Sequence, residues 1–200
     1  MKYFLYSLII VSFYSCSNEK PPKISDRKIC LITFGSEQHE FLPIIKDKIE
    51  KFYGCSVSYV PNLPIPLNCY NPIRKTYYAD SALRFLDKKK TIDFNHIIGI
   101  TDADITTVFY NKDEKAVFGL GYCPGNSSII STNRLYRDLP SQEVIKNRIS
   151  NLAIHELGHN FGLKHCQDRA CLMHDTQGLI DNTEGDLNLC KNCKAILAKL

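Results

Sequence analysis

Two hundred residues at 44% hydrophobic and 23% charged describe a globular chain with length for one well-buried core and too little for two large ones. The formal charge is +4, and it falls to +3 if Lys2 leaves with a cleaved leader (24 Lys and Arg against 21 acids). That excess is too slight to point to a nucleic-acid partner, and the run Lys88-Lys89-Lys90 reads as the solvated end of a helix.

The chain opens with MKYFLYSLIIVSFYSC: one early lysine, an apolar run from Tyr3 to Tyr14, then Ser15-Cys16. This is the charged n-region, short h-region and small residue of an export signal, too short to span a bilayer as a mature helix. It resembles a bacterial lipoprotein signal, which implies removal of residues 1–15 and lipidation of Cys16. A plain secretory signal, with Cys16 incidental, is the alternative. The expectation is an exported protein anchored by lipid to a membrane of the bacterial cell envelope, or else secreted or periplasmic. Residues 16–27 read as a polar tether and 28–200 as the folded domain.

RKICLITFG (27–35) is a β-rich apolar run closed by glycine, read as a buried strand. Leu42, Ile45, Ile49 and Phe52 then follow helical spacing, with Pro43 in a first turn and Gly54 placed to stop the helix. CSVSYV (55–60) alternates as a half-buried strand does. PNLPIPLNCYNPI reads as a proline-broken loop. Tyr78, Leu83 and Leu86 mark a second helix, and FNHIIGIT (94–101) a third strand. This β-α-β-α-β order implies a largely parallel sheet with helices against it. AVFGLGYCPG and SIIST read as an edge hairpin turning at Pro124-Gly125-Asn126. Beyond it, Ser141 is a suitable N-cap for a long helix whose apolar stripe is Ile145, Ile149, Leu152 and Ala153.

That helix runs into HELGHNFGLKHCQDRACLM (155–173). His155 and His159, four residues apart, share one helical face and can grip a single ion. Glu156 can reach a water on that ion without ligating it, as a zinc hydrolase requires. Gly162 permits the chain to turn so that His165 returns as a third ligand. Three neutral imidazoles leave one tetrahedral position for water, whose pKa zinc lowers to about 7. Glu156 would take its proton, and the hydroxide would attack a carbonyl. Met173, after the third histidine, suggests the methionine turn of metzincins, core filling being the bland reading.

Nine cysteines occur. Cys166 and Cys171 at C-x4-C, with Cys190 and Cys193 at C-x2-C, have the spacing of a closed structural zinc site, and two disulfides are the alternative in an exported chain. Cys30, Cys55, Cys69 and Cys123 are expected as buried thiols, with a Cys30 to Cys55 bridge open if their strands are neighbours. His174, Asp102 and Asp104 stand as second-sphere or turn residues outside the site.

Taken together, HELGHNFGLKHC, four residues, CLM and the distal CKNC resemble the archaemetzincin family of zinc metallopeptidases. VFGLGYCPGNSSIISTNRLY and YNPIRKTYYADSAL also resemble family segments, so the likeness covers residues 28–200. It implies an α/β metzincin-like zincin domain: a mixed, mostly parallel twisted sheet, an active-site helix and a small zinc-stabilised C-terminal subdomain. It implies His155, His159 and His165 on a catalytic zinc, Glu156 as general base, and Cys166, Cys171, Cys190 and Cys193 on a second zinc. Peptide substrates are expected to add as a strand near Val117 to Gly121, by analogy with metzincins, and the chain to act as a monomer. The rival readings are a non-enzymatic zinc-binding module of the same fold and a hydrolase confined to one modified or cell-wall peptide.

Overall fold

The computed structural model describes residues 23–34, 39–89, 93–108, 114–175 and 188–200. The leader, Cys16 and residues 16–22 of the tether lie outside the described residues. Ile24 packs against the core, and the Arg27 guanidinium lies 5.2 Å from the centre of the Phe161 ring.

The main sheet has five strands in the order β2-β1-β5-β9-β8. They are β1 (Lys28–Phe34), β2 (Ser56–Leu63), β5 (His96–Thr101), β8 (Gly119–Gly121) and β9 (Ser127–Ser131). All neighbours are parallel except β8 and β9, which form the antiparallel edge hairpin expected from the sequence. The core divides by the two-residue period of the strands. Ile29, Leu31, Ile98, Ile100 and Ile130 face one cluster, shared with helices α1 (Leu42–Tyr53) and α3 (Gln142–Asn160). Cys30, Ile32, Phe34, Ile97 and Ile129 face the other, shared with α2 (Ala79–Lys89). Helices on both faces explain why β1 and β5 read as continuous apolar runs.

The helices form where their spacing indicates. In α1, Leu42, Ile45, Ile49 and Tyr53 are buried, and Gly54 ends the helix at φ 72° with its N–H on Glu50 O. Ser141 caps α3 by accepting from the Val144 N–H at 3.4 Å. The Ile145-Ile149-Leu152-Ala153 stripe is buried, as expected.

Four expectations are corrected. A second sheet, in the order β3-β4-β6-β7, is assembled from β3 (Tyr70–Asn71), β4 (Thr76–Tyr78), β6 (Ile105–Val108) and β7 (Glu114–Val117). It takes up part of the proline-broken loop, and Tyr78 closes β4 instead of opening α2. AVFGLGYC is two strands, since β7 pairs with β6 while β8 pairs with β9, with Phe118 between them. A Cys30–Cys55 bridge is absent: β1 and β2 are neighbours, but Cys30 stands opposite Ser58 and the two thiols belong to opposite faces of the sheet. Finally, Cys123 is exposed, unlike the buried Cys30, Cys55 and Cys69, because it sits on the hairpin loop beyond β8.

The C-terminal helix α4 (Lys191–Leu197) returns to the end of α3 through the cysteines. Among the described residues, no helix is long and apolar enough to cross a membrane.

Candidate metal centre

The last turns of α3 carry His155 and His159. Gly162 (φ 92°) then reverses the chain, with Gly162 N–H donating to His159 O and Leu163 N–H to Gly158 O at 3.0 Å. His165 is thereby folded back, and the three histidines each offer a ring nitrogen within 4.8 Å of the others. Ring centres lie 4.7 Å (His155 to His159), 4.8 Å (His159 to His165) and 5.5 Å (His155 to His165) apart.

Hydrogen bonds behind the rings determine which nitrogen faces inward. His155 Nδ1 lies 2.8 Å from Leu172 O and His159 Nδ1 2.7 Å from Leu163 O. A carbonyl only accepts, so both Nδ1 atoms carry the proton and both Nε2 atoms present lone pairs. Those Nε2 atoms are 3.1 Å apart. Two acceptors at that distance repel each other unless a cation lies between them, and tetrahedral zinc at a Zn–N length of about 2.0–2.1 Å spaces its ligands by about 3.3 Å. The donor set therefore fits zinc. Burial, then His159, lowers the His155 pKa to about 3, and burial also lowers that of His159, so both rings stay neutral as ligands must. His165 is about half exposed, with Nδ1 3.4 Å from Asp175 Oδ2.

Glu156 is 5% exposed, and burial pushes its carboxyl up to about 8. It lies against β8: a methyl group built on Gly119 would come 2.5 Å from Glu156 Oε1, and one on Gly121 3.2 Å from Oε2. Asn160, one turn on, donates from Nδ2 to Tyr122 O (3.0 Å) and Ser127 O (2.9 Å), tying both sides of the hairpin to the helix. Met173 is fully buried against the helix between the two histidines, where a methyl on Gly158 would lie 2.6 Å from its Sδ. The Tyr53 hydroxyl donates to Ile154 O at 2.9 Å from the same region.

Cys166, Cys171, Cys190 and Cys193 form the second cluster, their sulfurs mutually within 4.8 Å. The Sγ atoms of Cys166 and Cys190, and of Cys171 and Cys193, are 3.7 Å apart. A disulfide needs about 2.05 Å, whereas the edge of a tetrahedron with Zn–S of about 2.3 Å is about 3.8 Å. The cysteines are free thiols with the spacing of a sulfur-only zinc site. The backbone N–H of Cys193 helps draw the Cys190 thiol down to about 7, toward the thiolate a metal requires. An open depression of about 940 Å³ flanks this cluster and His165, lined by Lys164, Gln167, Lys191 and Lys194; it does not reach Glu156.

His174 ties the loop shut, its Nδ1 3.0 Å from Cys166 O. Asp104 pairs with Arg134, and Asp102 O accepts from Asn133 Nδ2, both away from the histidines. The sequence reading missed Gly119, Gly121, Gly158 and Asn160. Glycines at alternate positions of a strand, and one inside a helix, are the signals that mark close approach.

Residues 30–199 match the model of Peptidase family M54. The archaemetzincin of Methanocaldococcus jannaschii is 31% identical over 171 residues, 83% of this chain and 90% of that protein. That of Methanopyrus kandleri is 28% identical over 179 residues, 86% of this chain and 96% of the relative. The crystal structure of the Methanopyrus kandleri archaemetzincin superposes with a TM-score of 0.75 at 27% identity, covering 89% of this chain and 97% of that one. A family match over residues 30–199, relatives matched over most of their length and a shared fold lead to one conclusion: this chain belongs to peptidase family M54, the archaemetzincins, and is a zinc-dependent peptidase.

Proposed function

We propose that the chain cleaves peptide bonds with His155, His159 and His165 holding the catalytic zinc, Glu156 as general base, and a second zinc on Cys166, Cys171, Cys190 and Cys193. The observation that carries this reading is the pair of Nε2 lone pairs 3.1 Å apart, each fixed by a carbonyl behind its ring. Zinc held there supplies a Lewis acid with one position open to water and the scissile carbonyl. Glu156 takes the proton of the attacking water and returns it to the leaving amine. A divalent cation on the neighbouring histidines would favour the ionised carboxylate that this role requires, offsetting the burial that otherwise favours its protonated form. The peptide backbone lies along the free edge of β8, by strand addition, with Glu156 directly behind it. Met173 supports the floor of the site, and the four-cysteine zinc pins α4 to the loop that carries His165.

The protein works as an exported monomer. Its leader (1–15) is removed, and Cys16 is lipidated and joined to the catalytic domain by a short tether.

The test is cleavage profiling of the zinc-loaded chain on a diverse peptide library beside the Glu156→Ala variant, with zinc measured in both. Two zinc ions per chain, cleavage by the parent stopped by a chelator, and no cleavage by the variant are expected. Cleavage retained by the variant removes Glu156 from its role, and two bound ions without any cleavage by the parent turn the reading toward a zinc-binding module.

A further inference from the structure

The side chain of Glu156 lies against two glycines of β8. A methyl group built on Gly119 would lie 2.5 Å from Oε1, 2.8 Å from Cγ and 2.9 Å from Cδ of Glu156. One built on Gly121 would lie 3.0 Å from Glu156 O, 3.2 Å from Oε2 and 3.3 Å from Asn160 Nδ2. Real Cβ atoms essentially never approach to 2.5 Å. Any side chain at 119 must therefore displace the carboxylate, whose own residue is buried and has little room to retreat. Neither glycine has a left-handed φ, so backbone conformation does not demand glycine at either place. Space does.

The strand that makes this slot is held at a set distance from the helix. Asn160 donates to Tyr122 O and Ser127 O and accepts on its own carbonyl from Gly125 N–H at 3.1 Å, so one residue of α3 grips the hairpin three times. Asn160 lies one turn beyond Glu156 and shares its face. The helix thus carries both the carboxylate and the clamp that brings the strand down upon it.

We propose that Gly119, with Gly121 beside it, is a positioning residue for Glu156: the absent side chain is the slot that holds the carboxylate in its working rotamer at the strand edge where the peptide lies. This inference rests on the reading of Glu156 as base. It identifies β8 as having two functions, one edge for substrate backbone and one face for the base.

The experiment replaces Gly119 by alanine in the parent and in the Glu156→Ala chain. Zinc content, unfolding by urea, and kcat and KM on a peptide cleaved by the parent are measured. In the parent background, the folded zinc-loaded Gly119→Ala protein should lose kcat on the order of a hundredfold, the scale of an ångström displacement of a catalytic group, with KM changed less than about threefold. Zinc content should not change. Its urea midpoint should fall, and in the Glu156→Ala background the same substitution should leave the midpoint where it was, because the overlap is gone. A glycine kept for chain flexibility would cost equal stability in both backgrounds and leave kcat of the folded protein intact. Either result overturns the proposal. Should Gly119→Ala fail to fold in the parent, the Gly119→Ala, Glu156→Ala double variant decides: recovery of a folded, zinc-loaded chain supports the overlap, because its three nearest atoms all belong to the removed side chain, and a second failure to fold overturns it. Cleavage by Glu156→Ala would remove the base reading instead, and the stability cycle would still decide whether residue 119 contacts residue 156.

Discussion

Gly158 lies inside α3 between His155 and His159, a position where intrinsic propensity favours alanine by about 1 kcal/mol. Sterics oppose that gain. A methyl group there would lie 2.6 Å from Met173 Sδ, 3.1 Å from Tyr53 Oη and 3.2 Å from Met173 Cε. Comfortable separation is about 3.5–4.0 Å, so Met173 must retreat by about 1 Å. It is fully buried, and Tyr53 is tied to Ile154 O at 2.9 Å, so neither moves freely. Overpacking of this kind costs about 1–3 kcal/mol, which outweighs propensity and leaves a net loss of about 1–2 kcal/mol for Gly158→Ala. The displaced Met173 also drags Leu172 O, the partner of His155, so zinc affinity should fall about tenfold. Urea unfolding of the zinc-loaded proteins measures the first effect and competition with a chromophoric chelator the second. Met173→Ala supplies the control. In that background the two overlaps with Met173 are gone and only the 3.1 Å approach to Tyr53 Oη remains, so Gly158→Ala should cost clearly less than it does in the parent. A Gly158→Ala protein as stable as its parent would falsify the reasoning.

Replacing Cys193 by serine should release one zinc per chain and expose α4 to proteolysis; unchanged zinc content and protease resistance would rule out the sulfur site. Asp104→Ala should cost about 1.5–3 kcal/mol, since Arg134 Nε and Nη2 each lie 2.6 Å from the carboxylate in a site about one-fifth exposed, and a cycle with Arg134→Ala should recover most of that as coupling. Burial pushes the Cys30 and Cys55 thiols up to about 11 from 9.0, so the folded state keeps protons that the unfolded state loses. Their contribution is full below pH 9 and is lost as pH rises to 11; the unfolding free energy should drop by up to about 1.4 kcal/mol per pH unit per thiol, and Cys30→Ala should flatten that slope.

The histidine motif was legible in the sequence because its geometry is local. His155 and His159 are set by one helical turn, and the return of His165 by a single glycine. The five-strand sheet was nearly as legible, because buried parallel strands such as β1 and β5 announce themselves as unbroken apolar runs. The second sheet was not. Its strands are two to four residues long, too short for any period to register, and its hydrogen bonds join segments as distant as Tyr77 and Ile105. The division of AVFGLGYC was hidden for a related reason: β7 and β8 continue along one apolar run, and only their different partners separate them. The contact of Gly119 with Glu156 joins residues far apart in the chain, so the sequence offered only an unexplained G-x-G.

The adjacency of His165 and Cys166 bears on how the three histidines are ordered. His155 and His159 are built into a buried helix, whereas His165 lies on a loop and is about half exposed. A ligand on a free loop would have its backbone ordered only when metal binds, at about 1–2 kcal/mol per residue. Here the next residue is a member of the four-sulfur cluster, and Cys166 N–H donates to Met173 O at 2.7 Å while His174 holds Cys166 O from the other side. On the proposed reading, metal on the cysteines would order the loop that carries His165, and so would raise the affinity of the histidine centre without any contact with substrate. Any such coupling would be reciprocal, and it would act through His165, because the helix already holds the other two imidazoles and the loop supplies the one whose position remains to be fixed.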